Sequence, residues 1–371
     1  MVLDRSNKLP IYKQIYDILL SEINRGIYGK TGILPTEKNL CERFDAERNT
    51  VRKALQILVD EGRIIRRKGS GTRLSDRFAA EQNNVLAELS KTGNKNILLV
   101  AQEDHLNEGD VVSFHFKLIN GFYKRLSELG LNLLYKTAGK NGMFSEELRN
   151  ASPAAVIFDS YIHHSIHREA LRYGVPCISV NHYTPLMTSI VGNNYDGAYQ
   201  VAKSLADAGH TRIALLLGKR SHQTCVERLS GFQSLYMSRG MLLDEKYMFA
   251  GDWHFGSGAE TADNIAAMKP GERPTAVFAF NDDMAYGCYS SLLRHKLSVP
   301  GDISVVGFDK SDRYKAIFPP LTTVDVNKDA IVEYACWMLV NSLLGKAPST
   351  NAKIQLDVSL VDNGSIMPIN M

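Results

Sequence analysis

The sequence predicts an α/β protein with a small helical head and a larger body built on two parallel sheets. Three observations predict this. Residues 1–75 contain three amphipathic segments and then a basic hairpin. From residue 97 onward, short apolar runs alternate with amphipathic helices. The charge also changes along the chain, because the first 75 residues carry a net +6 and the rest a net −3. With 371 residues there is room for two or three domains, and a basic head indicates a polyanionic partner.

The head begins with three predicted helices. The first follows Pro10, because proline lacks only an N–H that would be unpaired in a first helical turn. Its apolar face recurs at helical spacing in Ile11, Ile15, Ile18, Leu19 and Ile23. A second helix is predicted over Thr36–Phe44, with Thr36 as its N-cap. A third is predicted over Arg48–Glu61 and is ended by Gly62.

A basic hairpin is predicted after the third helix, with two strand-like arms in Ile64–Leu74 around a Gly-Ser-Gly turn. Three helices and a basic hairpin are the outline of a winged helix-turn-helix. This outline suits DNA, since a helix fits the major groove, where side chains such as Asn49 and Arg52 can read base edges. Basic hairpin residues can neutralise phosphates. The alternative interpretation is a solvated basic face with no nucleic-acid partner.

Four ordered blocks of the head resemble the DNA-binding domain of the GntR family of bacterial transcription regulators. The blocks are Leu34–Leu40, Arg48–Leu55, Leu58–Gly62 and Lys68–Thr72. The resemblance implies DNA contacts from Lys38, Arg48, Thr50, Arg52, Lys68 and Gly69. Glu47 departs from the family pattern, which has Ser or Thr at this position. Two roles stay open for it, a cap of the third helix or an acceptor for a cytosine amine.

The remainder of the chain is predicted to form a linker over 76–94 and an effector-binding body over 95–371. Strands are predicted near 97–101, 131–135, 154–158, 177–180, 213–217, 276–279 and 303–307. Helices are predicted near 114–129, 166–173, 195–208, 225–239, 257–268 and 282–295. Such alternation is typical of parallel sheets covered by helices on both faces. A joint near 191–194 and a return near 320–326 divide the body into two doubly wound lobes with a cleft between them.

Polar residues that directly follow strands are the candidate ligand-binding residues, because ligands bind outside the carboxyl ends of parallel strands. They include Asp159, Asn281 and Asp309, to which Arg228 and Trp253 are added. Carboxylates, amides and a guanidinium can bind sugar hydroxyls, and an aromatic face can cover the apolar side of the ring. The alternatives are a helix N-cap for each aspartate and core packing for Trp253.

The body resembles the effector-binding core of the LacI/GalR regulators, which is similar to the sugar-binding proteins of the periplasm. The motifs that carry the resemblance are Val191–Asn194, Gly209–Ala214, Glu227–Phe232, Ala279–Asp282, Val299–Asp309 and Pro320–Val324. The resemblance implies a periplasmic-binding-protein-like fold. It also implies that Phe114, His115, Arg228, Trp253, Asn281 and Asp309 lie in the cleft. The combination with a GntR-like head is similar to the plan of arabinose-responsive repressors.

These patterns predict a cytoplasmic homodimeric repressor of carbohydrate-utilisation genes, released from operator DNA by a monosaccharide such as L-arabinose or L-fucose. We expect no enzymatic activity, cofactor or metal, because no catalytic constellation or nucleotide fingerprint stands out. The start of the sequence lacks a secretory signal, and five scattered cysteines suit a reducing compartment. Two alternatives remain: an enzyme of sugar metabolism with a Rossmann-like core, or a regulator that responds to a non-sugar metabolite.

Overall fold

The computed structural model describes the chain except for residues 1, 2, 4–9, 25–27, 29–31, 68–70, 76–87, 90, 92, 103–113, 139–143, 312–316, 370 and 371. The chain forms two compact units, Met1–Gly93 and Asn94–Met371. No helix in the described part of the chain is long and apolar enough to cross a membrane. The predicted fold class, an α/β chain with a winged helix-turn-helix head, is confirmed.

The first unit is the predicted three-helix head with its hairpin. Its elements are α1 (Ile11–Asn24), α2 (Glu37–Phe44), α3 (Arg48–Asp60), β1 (Ile64–Arg67) and β2 (Gly71–Leu74). Leu19, Leu40 and Leu55 are fully buried in one core between the three helices. Thr36 is the N-cap of α2, as the sequence predicts, and its Oγ1 accepts from the N–H of Asn39 at 3.2 Å. The hairpin strands pair antiparallel, with Ile64 opposite Leu74.

A partly buried polar cluster joins α1 to α2 in this head. Arg43 donates from both terminal nitrogens to the carboxylate of Glu22, and Tyr28 Oη donates to the same group at 2.5 Å. Burial raises the pKa of Glu22, but the hydrogen bonds of Arg43 and Tyr28 outweigh that effect and the pKa is lowered overall. Glu22 is therefore held as a paired carboxylate, and the two helices are tied together by a charge-assisted contact.

The first lobe of the body is a six-stranded parallel sheet of order β13-β7-β6-β5-β3-β4, whose edge strand β13 (Lys353–Leu356) comes from late in the chain. Its elements are β3 (Asn96–Gln102), α4 (Phe114–Glu128), β4 (Asn132–Ala138), α5 (Phe144–Ala151), β5 (Ala155–Asp159), α6 (His164–Tyr173), β6 (Cys177–Val180) and β7 (Thr188–Gly192). Leu98 and Val100 face one hydrophobic cluster, and Ile97 and Leu99 face another. Both faces of the sheet are thus buried, which accounts for its unbroken apolar strands.

The second lobe is a four-stranded parallel sheet of order β11-β10-β8-β9. Its elements are α7 (Asn194–Asp207), β8 (Ile213–Leu217), α8 (Gln223–Ser238), β9 (Met248–Ala250), α9 (Phe255–Ala267), β10 (Ala276–Ala279), α10 (Asp282–Arg294) and β11 (Ser304–Val306). Short 3-10 turns lie at Glu245–Tyr247 and Pro270–Glu272. The helices pack as two pairs, α7 with α8 and α9 with α10.

The chain then returns toward the first lobe through four further elements. They are β12 (Thr323–Asp325), α11 (Lys328–Leu343), β13 (Lys353–Leu356) and β14 (Ser359–Val361). Strands β12 and β14 pair antiparallel, α11 packs on α4, β6 and β7, and β13 adds an edge strand beside β7. The first crossing between lobes follows β7, so part of the segment predicted as a joint is a strand.

Candidate functional sites

Basic side chains of the head converge on one carboxylate. Glu37, in the first turn of α2, accepts through Oε2 from Arg48 Nε at 3.0 Å and from Arg52 Nε at 2.9 Å. Arg66 of the hairpin lies 3.6 Å from Glu37 Oε1. Burial raises the pKa of Glu37, but the arginines outweigh it and lower the pKa. The carboxylate therefore orients arginines of the third helix and the hairpin on one surface.

Two of the DNA-contact candidates from the sequence, Arg48 and Arg52, lie on this surface. Lys38, Arg48, Asn49 and Arg52 are exposed and Thr50 is half-buried. Lys68 and Gly69 lie outside the described residues. Glu47 occupies the N-cap position of α3, but its side chain makes no capping hydrogen bond, so the cap interpretation is wrong. Glu37 lies inside the Leu34–Leu40 block, but its role depends on contacts that no local pattern encodes.

A cavity of ≈ 140 Å³ lies between the two lobes of the body. Pockets that hold drug-sized ligands measure about 300–1,000 Å³, so this space suits one small ring. Phe114 and His115 line it from the first lobe. Arg228, Trp253, Asn281 and Asp309 line it from the second. The structure thus brings together six of the seven ligand-binding candidates, contributed by segments nearly 200 positions apart in the chain.

Asp159, the seventh candidate, lies behind His115 rather than on the cleft wall. Its side chain is fully buried, and Oδ2 lies 2.9 Å from His115 Nδ1. Its other oxygen accepts from Ser160 Oγ at 3.1 Å. Burial alone would lower the pKa of His115, but Asp159, helped by Asp309 and Asp283, outweighs it and raises the pKa. The pair thus presents to the cleft an imidazole ring that is held by a buried carboxylate and whose pKa is raised by it.

Arg228 projects from α8 and is held on several sides. Nε donates to Asn194 Oδ1 at 2.9 Å, Nη1 donates to the carbonyl of Phe280, and Nη2 donates to Asp309 Oδ1 at 3.2 Å. Its guanidinium carbon lies 3.6 Å from the ring centroid of Phe308. Burial lowers the pKa of Arg228, and Asp309 opposes that shift. Most of its donors are already bonded, so Arg228 is a rigid wall of the cleft rather than a free anion clamp.

Asn281 makes two structural hydrogen bonds in addition to lining the cleft. Its Oδ1 accepts from the N–H of Met284 at 3.0 Å, so it is the N-cap of α10. Its Nδ2 donates to the carbonyl of Trp253 at 2.8 Å. Trp253 is half-buried with a positive φ of 81° and lines the cleft, although it also packs against the second-lobe core. Asn281 therefore positions Trp253 while capping its own helix.

An aromatic stack that the sequence analysis missed crosses the cleft. The ring of Tyr161, from the first lobe, stacks on His222 of the second lobe at 4.7 Å, and His222 stacks on Trp253 at 6.0 Å. Trp253 Nε1 donates to His222 Nδ1 at 3.1 Å, so the neutral imidazole carries its proton on Nε2. Burial, with Lys219 and His182, lowers the pKa of His222 to about 4. The one feature of the sequence that could have indicated this stack is the position of Tyr161 just after β5, where ligand-binding residues are expected.

A buried carboxylate, that of Asp282, also lines the cavity from the second lobe. Asp282 accepts from the N–H of Ser311 and from Thr323 Oγ1, each at 2.6 Å, and so connects α10 to the returning strand β12. Burial and the nearby Asp309 raise the pKa of Asp282 to about 8. A Cβ on Gly307 would lie 2.2 Å from Asp282 Oδ1, so only glycine leaves this carboxylate its space.

Comparison with known families defines the class of each part. Residues 11–74 match the model of the bacterial regulatory proteins of the gntR family. Residues 202–366 match the periplasmic binding protein-like domain. The chain therefore joins a GntR-type helix-turn-helix head to a periplasmic-binding-protein-like body, as the sequence motifs indicated.

Curated relatives share part of the body. The chain is 33% identical over 163 residues to the HTH-type transcriptional repressor PurR of Aliivibrio fischeri, covering 44% of this chain and 48% of that protein. It is 37% identical over 157 residues to PurR of Vibrio campbellii, covering 42% and 46%. The chain thus spans about half the length of the curated relatives it matches.

Solved structures share the fold. A CelR–cellobiose complex is 23% identical, with a TM-score of 0.65 over 90% of this chain and 100% of that chain. A LacI-family regulator of Enterococcus faecium with bound ribose is 20% identical, with a TM-score of 0.65 over 74% and 100%. A Lac repressor dimer bound to operator and the anti-inducer ONPF is 24% identical, with a TM-score of 0.64 over 77% and 98%. These likenesses establish the two-lobed fold.

Proposed function

We propose that this protein is a cytoplasmic, homodimeric transcriptional repressor that binds operator DNA and responds to a small neutral sugar. L-arabinose and L-fucose are the first candidates. The observation that carries the proposal is the cleft between the lobes, in which polar side chains of both lobes face one small cavity beside Trp253. A chain with a DNA-binding head and such a cleft has the two distinct sites that ligand-controlled binding requires.

The chemistry of the cleft favours polyhydroxyl ligands. Asp309, Asn281 and His115 offer acceptors and donors that can bind hydroxyls, and the indole of Trp253 offers an apolar face. Phosphorylated sugars fit less well, because Arg228 already donates to Asn194, Phe280 and Asp309. An anionic group there would have to displace these partners.

The DNA-binding surface is assigned to α2, α3 and the hairpin. We assign base and phosphate contacts to Lys38, Arg48, Asn49, Thr50, Arg52, Lys68 and Gly69. Glu37 supports the assignment, because it holds Arg48 and Arg52 side by side before DNA binds. Pre-oriented side chains lose less conformational entropy on binding.

The response is assigned to closure of the two lobes. A sugar that bridges Arg228, Asn281 and Asp309 to Phe114 and His115 would favour a closed body. In a dimer, this closure would change the spacing of the two heads and weaken operator binding. The coupling is reciprocal, so operator DNA must weaken sugar binding by the same factor.

The test is a thermal-shift panel on the full chain, followed by operator titrations. At 100 times its dissociation constant, the true effector stabilises the body by about 2.7 kcal/mol. Since the unfolding entropy of a domain the size of the body is about 0.6 kcal/mol/K, this should raise Tm by roughly 5 °C. In Asp309→Ala, the effector should neither raise Tm nor release the protein from DNA, whereas affinity for the operator without effector should be unchanged. Asp207→Ala, an exposed aspartate paired with Lys203 and Arg239, is the matched control.

A non-sugar effector is the second candidate, because the curated relatives quoted above are PurR repressors. The same panel separates the two. If a nucleobase or an amino acid raises Tm and no sugar does, the sugar assignment is wrong, and the proposal of a ligand-controlled regulator remains. If neither the full chain nor the isolated head binds any sequence in a genomic DNA pool at low salt, the proposal that the protein is a transcriptional regulator is wrong.

A further inference from the structure

An ion pair connects the two lobes beside the cleft. Glu227 lies on α8 of the second lobe, and its Oε1 accepts from Lys353 Nζ at 2.6 Å. Lys353 begins β13 of the first-lobe sheet, and its ammonium lies 5.2 Å from the ring centroid of Tyr183. The Glu227 and Lys353 side chains are only 14% and 27% exposed. Partial shielding from water makes this contact stronger than an open surface pair.

The second oxygen of Glu227 leads to the cleft. Glu227 Oε2 accepts from Asn194 Nδ2 at 3.1 Å, and Asn194 Oδ1 accepts from Arg228 Nε at 2.9 Å. Asn194 is 5% exposed and Arg228 is 3% exposed. An amide has one donor end and one acceptor end, so a carboxylate on its nitrogen requires that its oxygen face the guanidinium. Without Glu227, the amide could turn and place an N–H against the N–H of Arg228.

We propose that Glu227 is a positioning residue for the effector cleft, which rests on the function proposed above. It sets the orientation of Asn194, Asn194 holds Arg228 against Asp309, and Lys353 anchors Glu227 to the first lobe. Arg228 is thereby linked to the relative position of the lobes. The consequence is that a variant far from the ligand changes how Arg228 is presented to it.

The first test needs no ligand and uses the side-chain Nε–H signal of Arg228 in ¹H–¹⁵N spectra of the full chain. Arg228→Lys identifies the signal by its loss. In the wild type this proton is hydrogen-bonded and buried, so its exchange with water is slow. Glu227→Ala should make the exchange fast. Glu227→Gln keeps an oxygen for Asn194 and should restore slow exchange. Wild-type protection in Glu227→Ala would overturn the proposal.

The second test is calorimetric titration with L-arabinose. Glu227→Ala should weaken binding about tenfold, since a buried donor loses its oriented acceptor. Glu227→Gln should stay within about twofold of the wild type. Equal affinity in the wild type and Glu227→Ala would contradict the proposal. If the wild type does not bind L-arabinose, that effector assignment fails, and the exchange measurement still decides the role of Glu227.

Lys353 provides an independent variant. Lys353→Met keeps the aliphatic stem and should shift Arg228 exchange in the same direction as Glu227→Ala, but less. Because Lys353 acts through Glu227, the double variant should be no worse than Glu227→Ala alone. If the effects of Lys353→Met and Glu227→Ala on Arg228 exchange add up in the double variant, Lys353 does not act through Glu227. Lys203→Met, which breaks the 2.6 Å pair with Asp207 on α7, is the matched control and should leave the Arg228 signal unchanged.

Discussion

At the scale of single residues, the third helix of the head carries the clearest expectation. Arg52→Ala should lower operator affinity by about 1–3 kcal/mol if Arg52 bonds a guanine edge, and it should relax specificity at that base pair. Fluorescence anisotropy with the operator and a single-base variant measures this. Lys38→Ala is a suitable comparison. Lys38 is exposed, and the loss of a lysine that contacts a phosphate should weaken binding to all DNA sequences equally. An equal loss on operator and random DNA would show that Arg52 reads no base.

His222 leads to a pH dependence. Its pKa is lowered to about 4, below the 6.5 of an unperturbed histidine. Between these values the unfolded chain binds a proton that the folded chain does not, so stability falls as pH drops from about 6.5 toward 4. His222→Gln keeps an acceptor for Trp253 and removes this proton. We therefore expect wild type to lose more stability than His222→Gln between pH 7 and pH 5. Denaturant unfolding at both pH values measures it, and parallel losses would contradict it.

At the scale of elements, close helix packing depends on glycine. Gly231 of α8 faces the backbone of α7, and a Cβ there would lie 2.0 Å from the carbonyl oxygen of Tyr195. Gly231→Ala must push the helices apart, at a cost of about 1–3 kcal/mol. Gly256→Ala is the control, because that α9 position has open space and alanine favours helix. Urea unfolding of both variants measures the difference, and equal stabilities would contradict the packing argument.

Elements also differ in how well sequence patterns predict them. Strands β8 and β10 occur as predicted, because buried parallel strands are short apolar runs between amphipathic helices. Helix α11 had no predicted counterpart. Its buried face includes Ile331, Val332, Ala335 and Cys336. Its exposed face carries Tyr334 and Trp337, so the helix has large apolar side chains on both faces. Without a polar face there is no helical period to detect.

At the scale of the whole molecule, we expect a homodimer. One winged head offers few base contacts, and two half-sites multiply specificity. Sedimentation at micromolar concentration should give twice the 41.3 kDa chain mass, and the operator footprint should be palindromic. The predicted linker has no heptad repeat, so a variant lacking the head should dimerise as well. A monomer with a single, non-palindromic half-site would overturn this expectation.

The sequence by itself determined the two-part plan, because amphipathic period, apolar strands and charge are local properties of the chain. It also predicted six residues of the cleft wall. Strand ends and family motifs can be located along the sequence without knowledge of which residues are in contact. Only the tertiary structure decided that Asp159 lies behind His115, that Tyr161 and His222 stack across the cleft, and that Glu37 holds Arg48 and Arg52. Each of these depends on distances between segments far apart in the chain, which are set by how lobes and helices pack.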